Sequence, residues 1–255
     1  MNPLPSSFDQ LLEEAESLPF SGWDFSAIED RWRVGHPPWD YRTIAKEKVA
    51  HASGLLDLGT GGGEFLASLA PLPARSFATE GYPPNLEVAR RRLAPLGVRV
   101  DPIGKDNRIP LPDRSVDLVL SRHEEFDPNE VHRVLSAQGK FVTQQVGGRN
   151  CEELRERFGL QASKSTNDTS SVAALSGEVS GAGLRVERRE EAILAYEFLD
   201  VGALVYFLRA VPWEVPGFST SRHRAMLERI HGEIASRGSF RTTHHLMLVL
   251  AKRTR

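Results

Sequence analysis

Apolar positions in this chain follow two rhythms. Short, nearly continuous apolar runs occur at Gly54–Leu58, Ser76–Glu80, Val98–Pro102, Val116–Leu120 and Lys140–Val146, each about the length of a strand. Between them lie segments with helical spacing: Glu64–Ala70, Pro84–Leu93, where Leu86, Ala89 and Leu93 share a face, and Asn129–Leu135. Strands alternating with helices predict parallel pairing and a doubly wound α/β sheet. Past Val146 the pattern loosens. Cys151–Phe158 and Ser171–Ser180 read as polar helices, with Ser163–Ser171 a loop of Ser, Thr, Asn and Asp between them. Ala192–Phe198 and His245–Ala251 are two further strands. Between these lie the helices Asp200–Ala210, capped by Asp200, and Arg222–Arg237, joined by the loop Val211–Phe218; such an excursion predicts a helical lid.

Ahead of the alternating region, a helix near Phe8–Leu18 leads into an irregular aromatic stretch. It holds Trp23, Trp32, Trp39 and Tyr41, with Pro37 and Pro38 blocking regular structure. Trp23 and Trp32 are expected to pack; Trp39 and Tyr41 are candidates to close over a ligand. The chain thus divides into a lead segment (1–45), a core (46–198 with 241–255) and a lid (199–240).

Composition narrows the picture without changing it. With 255 residues, 40% of them hydrophobic and 26% charged, the chain can bury a real core without staples. A formal net charge of −2 argues against a protein whose main partner is a phosphate backbone. The runs Arg90–Arg92 and Lys252, Arg253, Arg255 read as a solvated helix face and a frayed terminus. Cys151 is the only cysteine, which excludes an internal disulfide and a Cys-rich zinc site. Met1–Phe20 lacks the pattern of a signal peptide, and the apolar stretches Val201–Leu208 and Leu246–Ala251 fall far short of the roughly 18 residues of a membrane span. A cytoplasmic protein away from membranes is the expectation; its oligomeric state is not legible.

The most informative segment is Leu55-Leu-Asp57-Leu-Gly59-Thr60-Gly61-Gly-Gly63-Glu64. A strand running into glycines and then a helix lays bare backbone beside a ligand. Asp57 at the strand end can accept hydrogen bonds from a cationic amino group. Glu80 ends the next strand, where nucleotide-binding α/β folds hold a carboxylate for ribose hydroxyls. Gly81 and the flat Tyr82 follow, suited to an adenine. A dinucleotide fingerprint needs a small residue where Glu64 stands, and a carboxylate there would repel a pyrophosphate.

Asp57–Gly63 resembles the first motif of class I S-adenosylmethionine (SAM)-dependent methyltransferases. Leu111-Pro-Asp-Arg-Ser-Val-Asp-Leu-Val119 is similar to the stretch leading into their fourth strand, and Val134-Leu-Ser-Ala-Gln-Gly-Lys-Phe141 to their turn into the fifth. The similarity covers about residues 50 to 146 and is nearest to the broad UbiE-like, methyltransferase-11 group. It implies a Rossmann-like sheet of seven strands, mostly parallel, with the last strand inserted antiparallel. It also implies SAM as cofactor, with Asp57, Gly59, Thr60, Gly61 and Gly63 on its methionine side and Glu80, Gly81 and Tyr82 on its ribose and adenine. The acidic residue that meets the adenine amino group in that group falls on Lys105 or Asp106; Asp106 with Asn107 is taken here, and Ser121 completes the cofactor set.

Methyl transfer is an in-line displacement, so the protein must align its reactants and needs a base only when the acceptor loses a proton. The carboxyl ends of the fourth and fifth strands are the place to search. The fourth ends in Ser121-Arg-His123-Glu124; His123 is the candidate base and Glu124 its partner. The fifth ends in Gln144-Gln145-Val-Gly-Gly-Arg149. Adjacent strand residues face opposite ways, and Gln145 is taken as the one reaching the pocket, with Arg149 as an anion contact. Tyr206 and Trp213 from the lid and Trp39 from the lead segment complete the candidate substrate contacts. His244 and His245 are adjacent on a strand, so no metal site is expected from them. A small-molecule methyltransferase leads these readings. An RNA or protein methyltransferase, or a non-catalytic SAM-binding protein, stands behind it, and a nucleic-acid partner is disfavoured by the charge.

Overall fold

A computed structural model describes residues 7–20, 25–160 and 171–254. Trp23 and, but for Ser171, the loop Ser163–Ser171 lie outside the described residues. Among the described residues the strands form one sheet of eight, in the order β1-β7-β8-β6-β5-β2-β3-β4. In chain order they are β1 (Trp32–Val34), β2 (Gly54–Leu58), β3 (Arg75–Glu80), β4 (Arg99–Pro102), β5 (Val116–Arg122), β6 (Leu135–Val146), β7 (Leu184–Phe198) and β8 (Phe240–Arg253). Strands β4, β3, β2, β5 and β6 are parallel neighbours, and β8 joins β6 antiparallel. The inserted antiparallel last strand is therefore as expected, but the sheet has eight strands rather than seven. The extra one, β1, pairs antiparallel with β7 in the lead segment that read as irregular. Three residues are too few to show a two-residue alternation; β1 is held by pairing and by Trp32, whose ring stacks on Tyr196 at 5.5 Å.

The helices are α1 (Phe8–Ser17), α2 (Tyr41–Val49), α3 (Glu64–Ala67), α4 (Pro83–Leu93), α5 (Pro128–Val134), α6 (Glu152–Arg157), α7 (Val172–Gly181), α8 (Val201–Ala210) and α9 (Arg224–Arg237). None is long and apolar enough to cross a membrane, among the described residues. Helix α2 was not anticipated. Asp40 caps it by accepting from the Arg42 amide at 3.0 Å, and Tyr41, Ala45 and Val49 form its buried stripe at four-residue spacing.

The chain forms two compact units. One comprises Pro37–Gly147, Ser165–Ala192 and Leu246–Arg255. Its strand β2 is buried throughout, as its nearly continuous apolar pattern, interrupted only by Asp57, requires of a central parallel strand. Leu56, Leu58, Val119, Phe141, Met247 and Val249 belong to its core, each burial contributing on the order of 1.5–3 kcal/mol. Parallel register aligns Asp57 with Leu120, Glu80 with Pro102, and Ser121 and Arg122 with Thr143 and Gln144. The polar strand ends thus share one edge of the sheet.

The other unit comprises Met1–His36, Gly148–Lys164 and Ile193–His245. Its core gathers Trp32, Tyr196, Phe198 and Phe207 around α8, in which every residue but Arg209 is buried. Asp200 caps α8 through the Ala203 amide at 2.9 Å and takes the Arg31 guanidinium on both oxygens at 2.7 Å.

Candidate functional site

The glycine turn leaves β2 with Gly59, Gly61 and Gly63 all at positive φ. At Gly59 the need is double. Its φ is +65°, and a β-carbon there would lie 2.3 Å from Cγ of Glu124. The turn is pinned to β3 by the Thr60 amide, which donates to the Thr79 carbonyl at 2.9 Å, and it closes through the Gly63 amide on the Thr60 carbonyl at 3.0 Å.

Three carboxylates converge on this turn. Asp57 is buried, which pushes its pKa up to about 6; the Thr60 hydroxyl and the Arg122 guanidinium pull against that shift, and the charge on Glu80 adds to it. Glu80 is raised by burial and drawn back by the amides of Tyr82, Gly61 and Gly81, the first donating to its Oε1 at 2.7 Å. Glu124 lies across Gly59 with Oε1 facing Gly81. Burial raises it to about 7, with repulsion from Glu80, Glu125 and Asp57 adding to the effect. Gly81 and Tyr82 are exposed, Tyr82 by 61%. The Ile103 amide donates to the Glu80 carbonyl at 3.2 Å, carrying the loop that holds Asp106 past this end of β3. Asp106 is exposed and caps its own turn by accepting from the Arg108 amide, while Asn107 takes a left-handed φ of +52°.

At the end of β5, Ser121 is buried and His123 turns the chain at φ +62°. The His123 amide donates to the Gln144 carbonyl at 2.8 Å. Gln145 serves that turn: its Nε2 lies 3.2 Å from Ser121 Oγ, 3.0 Å from the Glu124 carbonyl and 2.8 Å from Thr143 Oγ1. Its amide group is thus engaged within the protein. Trp39 is buried, and its indole donates to Gln144 Oε1 at 2.8 Å.

The remaining candidate substrate residues lie in the other unit. Tyr206 is a core residue there, 2% exposed, with its hydroxyl donating to the Pro19 carbonyl, so packing accounts for it. Arg149 is exposed and pairs with both oxygens of Glu152. Trp213 is 56% exposed.

Sequence reasoning passed over Arg122 and Gln144. The Arg122 guanidinium lies 4.3 Å from the Phe65 ring centre, and Tyr41 packs on that ring. Crowding by protein and the nearby Arg42 lower its pKa, while Tyr41, Asp57 and Glu64 support its charge; the side chain still reaches solvent. The signal was present in β5, where Leu118, Leu120 and Arg122 alternate onto the face that carries Asp57.

Residues 56–143 match a family model described as a methyltransferase domain. No curated protein matches the chain. Among solved structures, the chain resembles the BH2331 protein of Bacillus halodurans C-125, an assigned methyltransferase. The identity is 16% and the TM-score 0.59, over 84% of this chain and 99% of that one. The YcgJ protein of Bacillus subtilis gives 14% identity and a TM-score of 0.56, over 84% and 98%. The [4+2]-cyclase SpnF gives 15% and 0.53, over 87% and 88%. At these identities the likeness is one of fold.

Proposed function

Because this chain carries a SAM-dependent methyltransferase domain, we propose that it moves the methyl group of SAM to a small-molecule acceptor seated at the carboxyl end of β5. The observation that carries this reading is the charge pattern: three carboxylates, Asp57, Glu80 and Glu124, and one guanidinium, Arg122, around a bare glycine turn. A nucleotide ligand with a phosphate would be repelled there. SAM carries an ammonium, a sulfonium and a single carboxylate, and so matches the set.

In this reading Asp57 takes the ammonium, Arg122 the carboxylate and Glu80 the ribose hydroxyls. Tyr82 lies along the adenine, whose amino group falls to Asp106 and Asn107. Gly59, Thr60, Gly61, Gly63 and Gly81 supply bare or small backbone for close approach. SAM supplies the activated methyl group. Ser121 and Gln145 hold the turn that presents His123 and Glu124 to the acceptor, and alignment is the main catalytic contribution.

The arginine runs give the nucleic-acid alternative little support. Arg90 is engaged with Glu87 and the Val100 carbonyl, Arg92 with Glu64 and the Gly62 carbonyl, and Arg253 with carbonyls at the end of α5. Calorimetric titration with SAM and with its demethylated product, beside a Glu80→Ala control, tests the cofactor. Labelled-methyl transfer to a small-molecule panel, against RNA and protein pools, tests the acceptor. Label appearing only in RNA or protein overturns the small-molecule reading.

A further inference from the structure

The Glu124 side chain runs along the glycine turn. Its Cγ, Cβ and Cδ lie 2.3, 2.5 and 2.5 Å from where a β-carbon on Gly59 would stand, and its Oε1 lies 4.0 Å from the same point on Gly81. It therefore reaches from the residues that follow β2 to those that follow β3. Its backbone is fixed: the Glu124 carbonyl accepts from Gln145 Nε2 at 3.0 Å and from the Ser121 hydroxyl at 3.4 Å, after His123 has turned the chain at φ +62°. Burial raises its pKa, and so do the charges of Glu80 on β3, the neighbouring Glu125 and Asp57 on β2. Among the described residues no lysine or arginine pairs with it. A half-buried carboxylate among like charges lacks a cation, and a ligand can bring one.

SAM has two cationic centres. In the pose proposed above its ammonium goes to Asp57 and its ribose to Glu80. Sulfur joins the amino-acid side chain to the ribose, so in that pose it crosses the stretch between the ends of β2 and β3 that Glu124 spans. Methyl transfer breaks the bond between sulfur and the methyl carbon. The acceptor supplies the new bonding pair, the old pair stays on sulfur, and the positive charge there is lost. The demethylated product keeps the ammonium, the carboxylate, the ribose and the adenine.

We infer that Glu124 is the residue that tells SAM from its demethylated product, by holding a carboxylate against the sulfonium. Asp57 and Glu80 meet groups common to both ligands and so do not distinguish them. An ionised Glu124 holds SAM more tightly and gives the product no such hold, so spent cofactor leaves in favour of fresh. The inference rests on the SAM pose proposed above and is independent of the acceptor.

Calorimetric titration of the full chain with SAM and with the demethylated product tests it, at about pH 8, where a carboxyl group raised to about 7 is mostly ionised. Glu124→Gln keeps the shape and drops the charge. It should lose about tenfold in SAM affinity and leave product affinity unchanged. Retained product binding also reports that the variant is folded. Asp57→Asn is the contrast and should weaken both ligands alike. If Glu124→Gln leaves the ratio of the two affinities as in the wild type, the inference is overturned. An equal loss would put Glu124 on a group the ligands share, and an equal gain would make it a plug over the turn. A folded wild type that binds neither ligand overturns the cofactor pose itself, and the inference with it, before any variant is compared.

Discussion

Arg122 and Glu124 flank His123 and bring opposite charges to the glycine turn. Arg122 makes no salt bridge among the described residues, since Asp57 and Glu64 act on it only through space. Replacing it with glutamine should weaken SAM about 10- to 100-fold, the range of a charge-assisted hydrogen bond. An analogue lacking the amino-acid carboxylate should bind the variant and the wild type alike; calorimetry on both ligands checks this. Glu124 and Asp57 make a pH prediction whose sign can be worked out. Folding raises both from ordinary carboxylate values, to about 7 and about 6, so the folded protein holds these protons more tightly than the unfolded chain. Stability from this source is fullest below about pH 4 and is lost as pH climbs through about 6 to 7. A cationic ligand prefers both groups ionised. SAM affinity should therefore rise across that window with release of protons, and Glu124→Gln should flatten its upper part. Titrations in buffers of different ionisation enthalpy measure the protons released.

Among elements, those legible in the sequence were the ones whose burial follows a single period. Strand β2 showed as a nearly continuous apolar run because all of its residues are buried, and α4 showed because Leu93 and Ala89 sit on its core stripe. Helix α2 was missed because Pro37 and Pro38 precede it and its mean composition is polar; its cap, Asp40, was the unused signal. Asp40→Ala should cost about 1 kcal/mol of stability, the usual worth of such a cap, measurable as a lower midpoint in urea. The glycine turn and the carboxylates around it were legible for a related reason: bare glycines and strand-end carboxylates are set by local turn chemistry. Gln144 and Gln145 were not separable that way. They face opposite sides of β6, and only the pairing with β5 and the approach of Trp39, 105 residues away along the chain, decides what each touches.

At the scale of the molecule, connectivity adds a constraint that no single element shows. The sheet order departs from the chain order at β8, which lies next to β6 although β7 and four helices intervene in the chain. Seven residues of β6, Lys140 to Val146, find their antiparallel partners only in Leu246–Lys252. During synthesis, β6 leaves the ribosome with its hydrogen-bonding edge unclaimed and waits for roughly a hundred more residues, several seconds at ordinary elongation rates. A nascent chain stalled before Phe240 should present that edge to chaperones or to other copies of itself, and should sediment as aggregate where the full chain stays in the supernatant. The glycine turn and its carboxylates are encoded ahead of β6, but the strand that claims the open edge of β6 is made only after β7 and four helices have followed it.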